Sequence, residues 1–113
     1  MSSVLKTSQA SGGAPIREID PAEALARQRE AALLLDVRED DERARSGVPA
    51  AAIALSIAEI PARIAEIAAD LTREMLTICG SGRRSLLAAQ TLREMGYTRV
   101  ASVRGGFLRW QTE

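Results

Sequence analysis

Apolar positions in this chain fall into short runs separated by polar stretches that carry glycine or proline. Ala32 to Val37 is a compact apolar run without alternation, ending in Asp-Val-Arg, which predicts a strand buried on both faces of a parallel sheet. Glu74 to Cys79 and Arg99 to Val103 read the same way. Ala52 to Leu55 is expected as a further strand, although alanine is a weak strand former, and Arg17-Glu18-Ile19 as a short edge strand. Elsewhere the period changes. Ile57, Ile60, Ile64, Ile67, Ala68 and Leu71 recur at helical steps, with Arg63, Glu66 and Asp70 opposite them. This predicts an amphipathic helix packed on the sheet, with Pro61 in its first turn.

Punctuating residues place the remaining elements. Asp20-Pro21-Ala22-Glu23 is a helix start with Asp20 as N-cap, giving a helix over Pro21 to Arg29. The charged Glu39 to Arg45 segment predicts a short exposed helix, followed by a turn at Ser46-Gly47-Val48-Pro49. A helix over Ser85 to Met95 is closed by Gly96, and Gly105-Gly106 leads into a terminal helix carrying Phe107 and Trp110 as core or rim residues. Residues 1–14 contain serine and glycine without apolar periodicity and read as a flexible tail or linker, leaving 15–113 as one domain.

Strands alternating with helices at this spacing imply parallel pairing through crossovers. The expected fold is α/β, three-layered, with a mainly parallel sheet of about five strands and helices on both faces. In such folds ligands bind beyond the carboxyl ends of the strands, where both Asp36 and Cys79 fall.

Composition narrows the chemistry. Of 113 residues, 46% are apolar and 27% charged, an ordinary globular balance. Fifteen basic residues offset fifteen acidic ones, so no charge footprint for nucleic acid or an anionic membrane exists. The apolar runs are too short to span a bilayer, and a cytoplasmic location is the default. With no histidine, Ser-His-Asp and Cys-His catalysis and imidazole zinc sites are excluded, and no metal site is expected. With one cysteine there is neither an internal disulfide nor a CxxC redox pair.

That cysteine sits in Cys79-Gly80-Ser81-Gly82-Arg83-Arg84-Ser85, between an apolar strand and a helix. A turn of this kind aims backbone N–H groups and the positive end of the helix dipole at the sulfur, stabilising a thiolate. The two glycines let the backbone approach a bound group closely, and Arg83 and Arg84 oppose the dipole at a helix start, so an anionic ligand is expected to hold them there. Asp36 is expected to cap the turn after its strand, and Arg38 to pair with a nearby carboxylate.

The loop resembles the active-site loop of the rhodanese family, Cys-Arg-Ser-Gly-x-Arg-Ser or close to it. Further segments match in order over about residues 16–113. Leu34 to Glu39 is similar to the family's Asp-Val-Arg strand end, Val48-Pro49-Ala50-Ala51 to its Ile-Pro-Gly-Ala turn, and Val103 to Trp110 to its closing Gly-Gly-x-x-x-Trp. The resemblance implies a sulfurtransferase without cofactor. In that reading Cys79 is nucleophile and persulfide carrier, the N–H groups of Gly80 to Ser85 hold the persulfide, Arg84 is the loop arginine and Arg83 its helper. The donor it implies is a small anion such as thiosulfate or a persulfide-bearing protein, and the acceptor a thiol, cyanide or a protein of a sulfur relay. The oligomeric state is left open.

Two positions depart from the family pattern. Gly80 stands where arginine often follows the cysteine, which removes a bidentate contact for a dianionic donor, and Gly47 replaces the histidine common before the Ile-Pro-Gly-Ala turn. These departures motivate the alternative of a non-catalytic or accessory module that binds a partner or an anion. Cysteine phosphatases and arsenate reductases are a more remote alternative, since the phosphatase loop is Cys-x5-Arg and this one is Cys-x4-Arg.

Overall fold

The computed structural model describes residues 15–112; the tail expected over residues 1–14 lies outside them. In chain order the elements are β1 (Arg17–Ile19), α1 (Pro21–Arg29), β2 (Leu33–Asp36), α2 (Asp40–Ser46), β3 (Ile53–Ala54), a 3-10 turn (Ile57–Glu59), α3 (Ile60–Ile67), β4 (Met75–Ile78), α4 (Arg83–Glu94), β5 (Val100–Val103) and α5 (Gly106–Thr112). The five strands form one sheet in the order β1-β5-β4-β2-β3, every neighbouring pair parallel.

Strand side chains alternate between the two faces, and each face has its own core. On one side Leu35, Val37, Met75 and Cys79 pack with Ile60 and Ile64 of α3 and Ala88 and Leu92 of α4. On the other, Leu34, Leu76, Ile78, Ala101 and Val103 pack with Ala24 of α1 and Phe107 of α5, with Trp110 half-buried beside them. The three-layer expectation therefore holds. Because β2 and β4 are central and buried on both sides, their sequences carry no polar alternation.

Two expectations need correction, and a third holds in position but not in its hydrogen bond. The helix predicted from Ile57 to Leu71 starts as a 3-10 turn, capped by Ser56 and Glu59, and its α-helical part ends at Ile67. The Tyr97 hydroxyl takes the Ala68 carbonyl, and the Asp70 carboxylate accepts the Thr72 N–H at 2.9 Å. The apolar period thus outlasts the helix, and Leu71 is left exposed. The strand expected over Ala52 to Leu55 pairs only through Ile53 and Ala54, at the sheet edge. Asp20 occupies the N-cap of α1 but makes no capping bond; its carboxylate pairs with Arg104 at 2.8 Å instead.

Candidate active site

Strand β4 delivers Cys79 to the carboxyl edge of the sheet, and Gly82, at φ +105°, turns the chain into α4. A left-handed residue at that cap is cheap only for glycine. Its consequence is that α4 begins at Arg83, two residues earlier than the apolar pattern indicates. The first turn of α4 therefore wraps the sulfur. Cys79 Sγ accepts the N–H of Gly82 at 3.1 Å and of Ser85 at 3.3 Å, and lies 3.5 Å from Ser85 Oγ.

Cys79 is 0% exposed. Burial pushes its thiol up, but the Ser85 hydroxyl and the N–H groups of Ser85, Gly82 and Ser81 outweigh it, so the thiol is held below its ordinary value. Such a sulfur is a thiolate more readily than a free cysteine and is a candidate nucleophile without any neighbouring base.

The loop is held from behind by α5. Phe107 N–H donates to the Cys79 carbonyl at 2.7 Å and Leu108 N–H to the Gly80 carbonyl at 3.1 Å. This contact explains Gly106: at φ +62°, a Cβ there would stand 2.5 Å from both carbonyl oxygens. Gly80 itself has only Arg84 near its missing Cβ, at 3.3 Å, and lines a cavity of about 240 Å³ with Arg38, Glu42, Phe107 and Leu108.

The predicted site residues separate into four groups. Ser81, Gly82 and Ser85 hydrogen-bond the sulfur, whereas Gly80 follows it in the chain and lines the cavity beside it. Arg84 lies at the mouth, but its counter-anion is a residue of the chain: it donates bidentately to Glu42 at 2.6 and 2.8 Å. Arg84 therefore needs no bound anion to offset the helix dipole, which corrects that expectation. Arg83 is exposed and lines a groove along α4 with Leu86, Leu87 and Gln90.

Asp36 and Arg38 form a buried brace, 1% and 2% exposed. The Asp36 carboxylate accepts the Arg38 N–H at 3.1 Å, the turn cap expected of it, and Arg38 Nε and a terminal nitrogen at 3.0 and 2.8 Å. Arg38 further donates to the Ser46 hydroxyl and the Gly47 carbonyl, and its guanidinium lies 4.6 Å from the Phe107 ring centroid. The brace thus joins β2, the end of α2 and α5. Nothing lies within 4 Å of where a side chain at Gly47 would begin, so the place of the family's histidine is open space.

Glu42 was not among the residues singled out by sequence. It accepts the Glu39 N–H at 3.0 Å, completing the capping box of α2, while it grips Arg84. Those bonds, the Arg84 contact foremost, hold its carboxyl down from the usual 4.5 to about 2. A depressed carboxyl stabilises the fold above pH about 4.5 and loses that contribution as pH falls toward 2, worth about 1–2 kcal/mol after screening at this half-exposed site. Urea unfolding at pH 6 and pH 3 is expected to show the protein losing more stability than its Glu42→Gln variant, by somewhat more than half of that contribution. Equal losses would mean the pair contributes nothing. Thr77 and Ser102, both fully buried beneath the loop, were missed as well.

A model of the rhodanese-like domain matches residues 20–113. A sulfurtransferase of Allochromatium vinosum is 38% identical over 98 residues, covering 84% of this chain and 88% of that protein. A thiosulfate sulfurtransferase of Pseudomonas syringae is 33% identical over 96 residues, covering 85% and 88%. The solved structure of a human single-domain sulfurtransferase superposes with a TM-score of 0.69 at 26% identity, over 88% of this chain and 97% of that one. The order of the sheet, the cysteine loop at its carboxyl edge and this match over nearly the whole described chain agree: the protein belongs to the rhodanese-like domain family.

Proposed function

We propose that the protein is a sulfurtransferase that carries sulfane sulfur as a persulfide on Cys79. The observation that carries this reading is a buried sulfur ringed by N–H donors and a hydroxyl, in a chain without histidine. With a thiosulfate-type donor, the Cys79 thiolate attacks the outer sulfur, the donor's S–S bond breaks, and sulfite leaves with the electron pair. The resulting Cys79–S–S⁻ is held by the loop donors, among them the N–H groups of Gly82 and Ser85. A thiolate, cyanide or protein nucleophile then attacks the outer sulfur, and the Cys79 thiolate is restored.

Arg84 is the cation nearest an incoming anion, and Glu42 already holds it. With Gly80 in place of a second arginine, the mouth offers a dianion little free positive charge, so a protein-borne persulfide suits it better than thiosulfate. The test is the intact mass after incubation with thiosulfate, or with a cysteine desulfurase and cysteine. The mass is expected to rise by one sulfur atom and to return on adding a thiol or cyanide. No adduct with either donor would overturn the reading and leave a non-catalytic binding module.

A further inference from the structure

Behind the cysteine loop lies a polar pocket within the core. Thr77 of β4 and Ser102 of β5 are register partners, and both are 0% exposed. The Thr77 hydroxyl donates to the Ser85 carbonyl at 2.8 Å, so its proton is committed. Ser102 Oγ lies 2.7 Å from Ser85 Oγ, which in turn lies 3.5 Å from the Cys79 sulfur. Three side-chain atoms, Cys79 Sγ just past β4, Ser85 Oγ of α4 and Ser102 Oγ of β5, therefore form a hydrogen-bonded chain in the interior.

Each hydroxyl has one proton, and this sets the direction of the chain. A thiolate can only accept, so with Cys79 ionised the Ser85 proton points at sulfur. Ser85 Oγ is then left as an acceptor, and Ser102 is the group placed to donate to it. With Cys79 protonated, the S–H donates to Ser85 Oγ and the Ser85 proton turns toward Ser102. Donation from Ser102 fixes the Ser85 rotor and polarises its O–H, strengthening the bond to a charged sulfur in a low-dielectric interior.

We infer that Ser102 is a positioning residue for the Cys79 site, holding the Ser85 O–H on the sulfur and so favouring thiolate over thiol. Its catalytic meaning rests on the proposed sulfur transfer; the geometry and the test below do not. The charged side chains nearest the loop include Asp36, Arg38, Glu42, Arg83 and Arg84, all carboxylates or guanidiniums, and there is neither histidine nor lysine among the described residues. Tyr97 lies in the same core cluster, and burial pushes its phenol up.

The experiment is the rate of iodoacetamide alkylation of the one cysteine against pH. Ser102→Ala is expected to raise the midpoint by about half a pH unit, one hydrogen bond's share, with an unchanged plateau rate at high pH. Ser102→Thr, which keeps the hydroxyl, should retain the original midpoint. An unchanged midpoint in Ser102→Ala, or a shift of equal size in Ser102→Thr, would overturn the assignment. Should Ser102→Ala fail to fold, the ¹³C shift of Ser102 Cβ in the unaltered protein decides: it is expected to titrate together with Cys79 Cβ, and a flat Ser102 signal would refute the chain. None of these readouts requires a sulfur donor, so a protein that fails to load sulfur but shows the shift separates the two proposals.

Discussion

Cys79→Ser is expected to abolish sulfur loading completely while the protein stays folded. Serine is slightly smaller than cysteine, and its oxygen meets the same N–H donors from Gly82 and Ser85 and the same Ser85 hydroxyl, so the buried polar atom remains satisfied. The cost to stability is then that of exchanging a sulfur for a hydroxyl in a core position, within about 2 kcal/mol. The chemical loss is absolute for a different reason. A serine hydroxyl attacks only when a neighbouring base removes its proton, and this chain has no histidine to do so. Intact mass after donor treatment, alongside a thermal melt, checks both halves. Any sulfur adduct on the folded serine variant would move the reaction away from this loop.

In the proposed reaction the same arrangement would make a buried sulfur reactive without a base. Desolvation alone would make Cys79 an inert apolar residue. Four hydrogen-bond donors reverse the sign, and all come from the turn and first helical residues that a single left-handed glycine brings round the sulfur. The charged groups are arranged with less bias. Arg84 is balanced by Glu42 and the buried Arg38 by Asp36, so these two cations offer an anion little free charge, and one drawn to the proposed site would meet chiefly the N–H cradle.

Much of this was legible in the sequence because it is local. β2 and β4 announce themselves by apolar runs with no polar alternation, and the loop concentrates its chemistry in seven contiguous residues. What escaped comes from elements distant in sequence that meet at the carboxyl edge of the sheet. Glu42 reads as one more charge on an exposed helix, and only its position across from Arg84 gives it a role. Ser102 is a serine in a short strand, and its meaning depends on the register that sets it beside Thr77 and Ser85. The overextended α3 failed for the opposite reason: its period continues to Leu71, but side-chain bonds at Ala68 and Thr72 end the helix first.

Gly106→Ala is expected to damage fold and site together. The new Cβ would stand 2.5 Å from the carbonyl oxygens of Cys79 and Gly80, distances that only a shift of backbone relieves. Moving α5 away breaks the bonds from Phe107 and Leu108 N–H to those carbonyls, each worth about 1 kcal/mol. A left-handed alanine adds about 1–2 kcal/mol, and the overpacking more. The sum is about 3 kcal/mol or more, a fall in melting temperature of at least about 12 °C for a domain of this size. If the loop moves instead, the N–H groups leave the sulfur and the alkylation midpoint of Cys79 rises toward that of a free thiol. Gly80→Ala is the internal control, because its Cβ meets only the flexible end of Arg84, at 3.3 Å, and its backbone is not left-handed; it should cost less than about 1 kcal/mol. Thermal melts and alkylation profiles of the two variants separate the cases. Equal, small effects at both positions would show that the terminal helix does not hold the cysteine loop in place, and the cradle would then have to be rigid by its own turn alone.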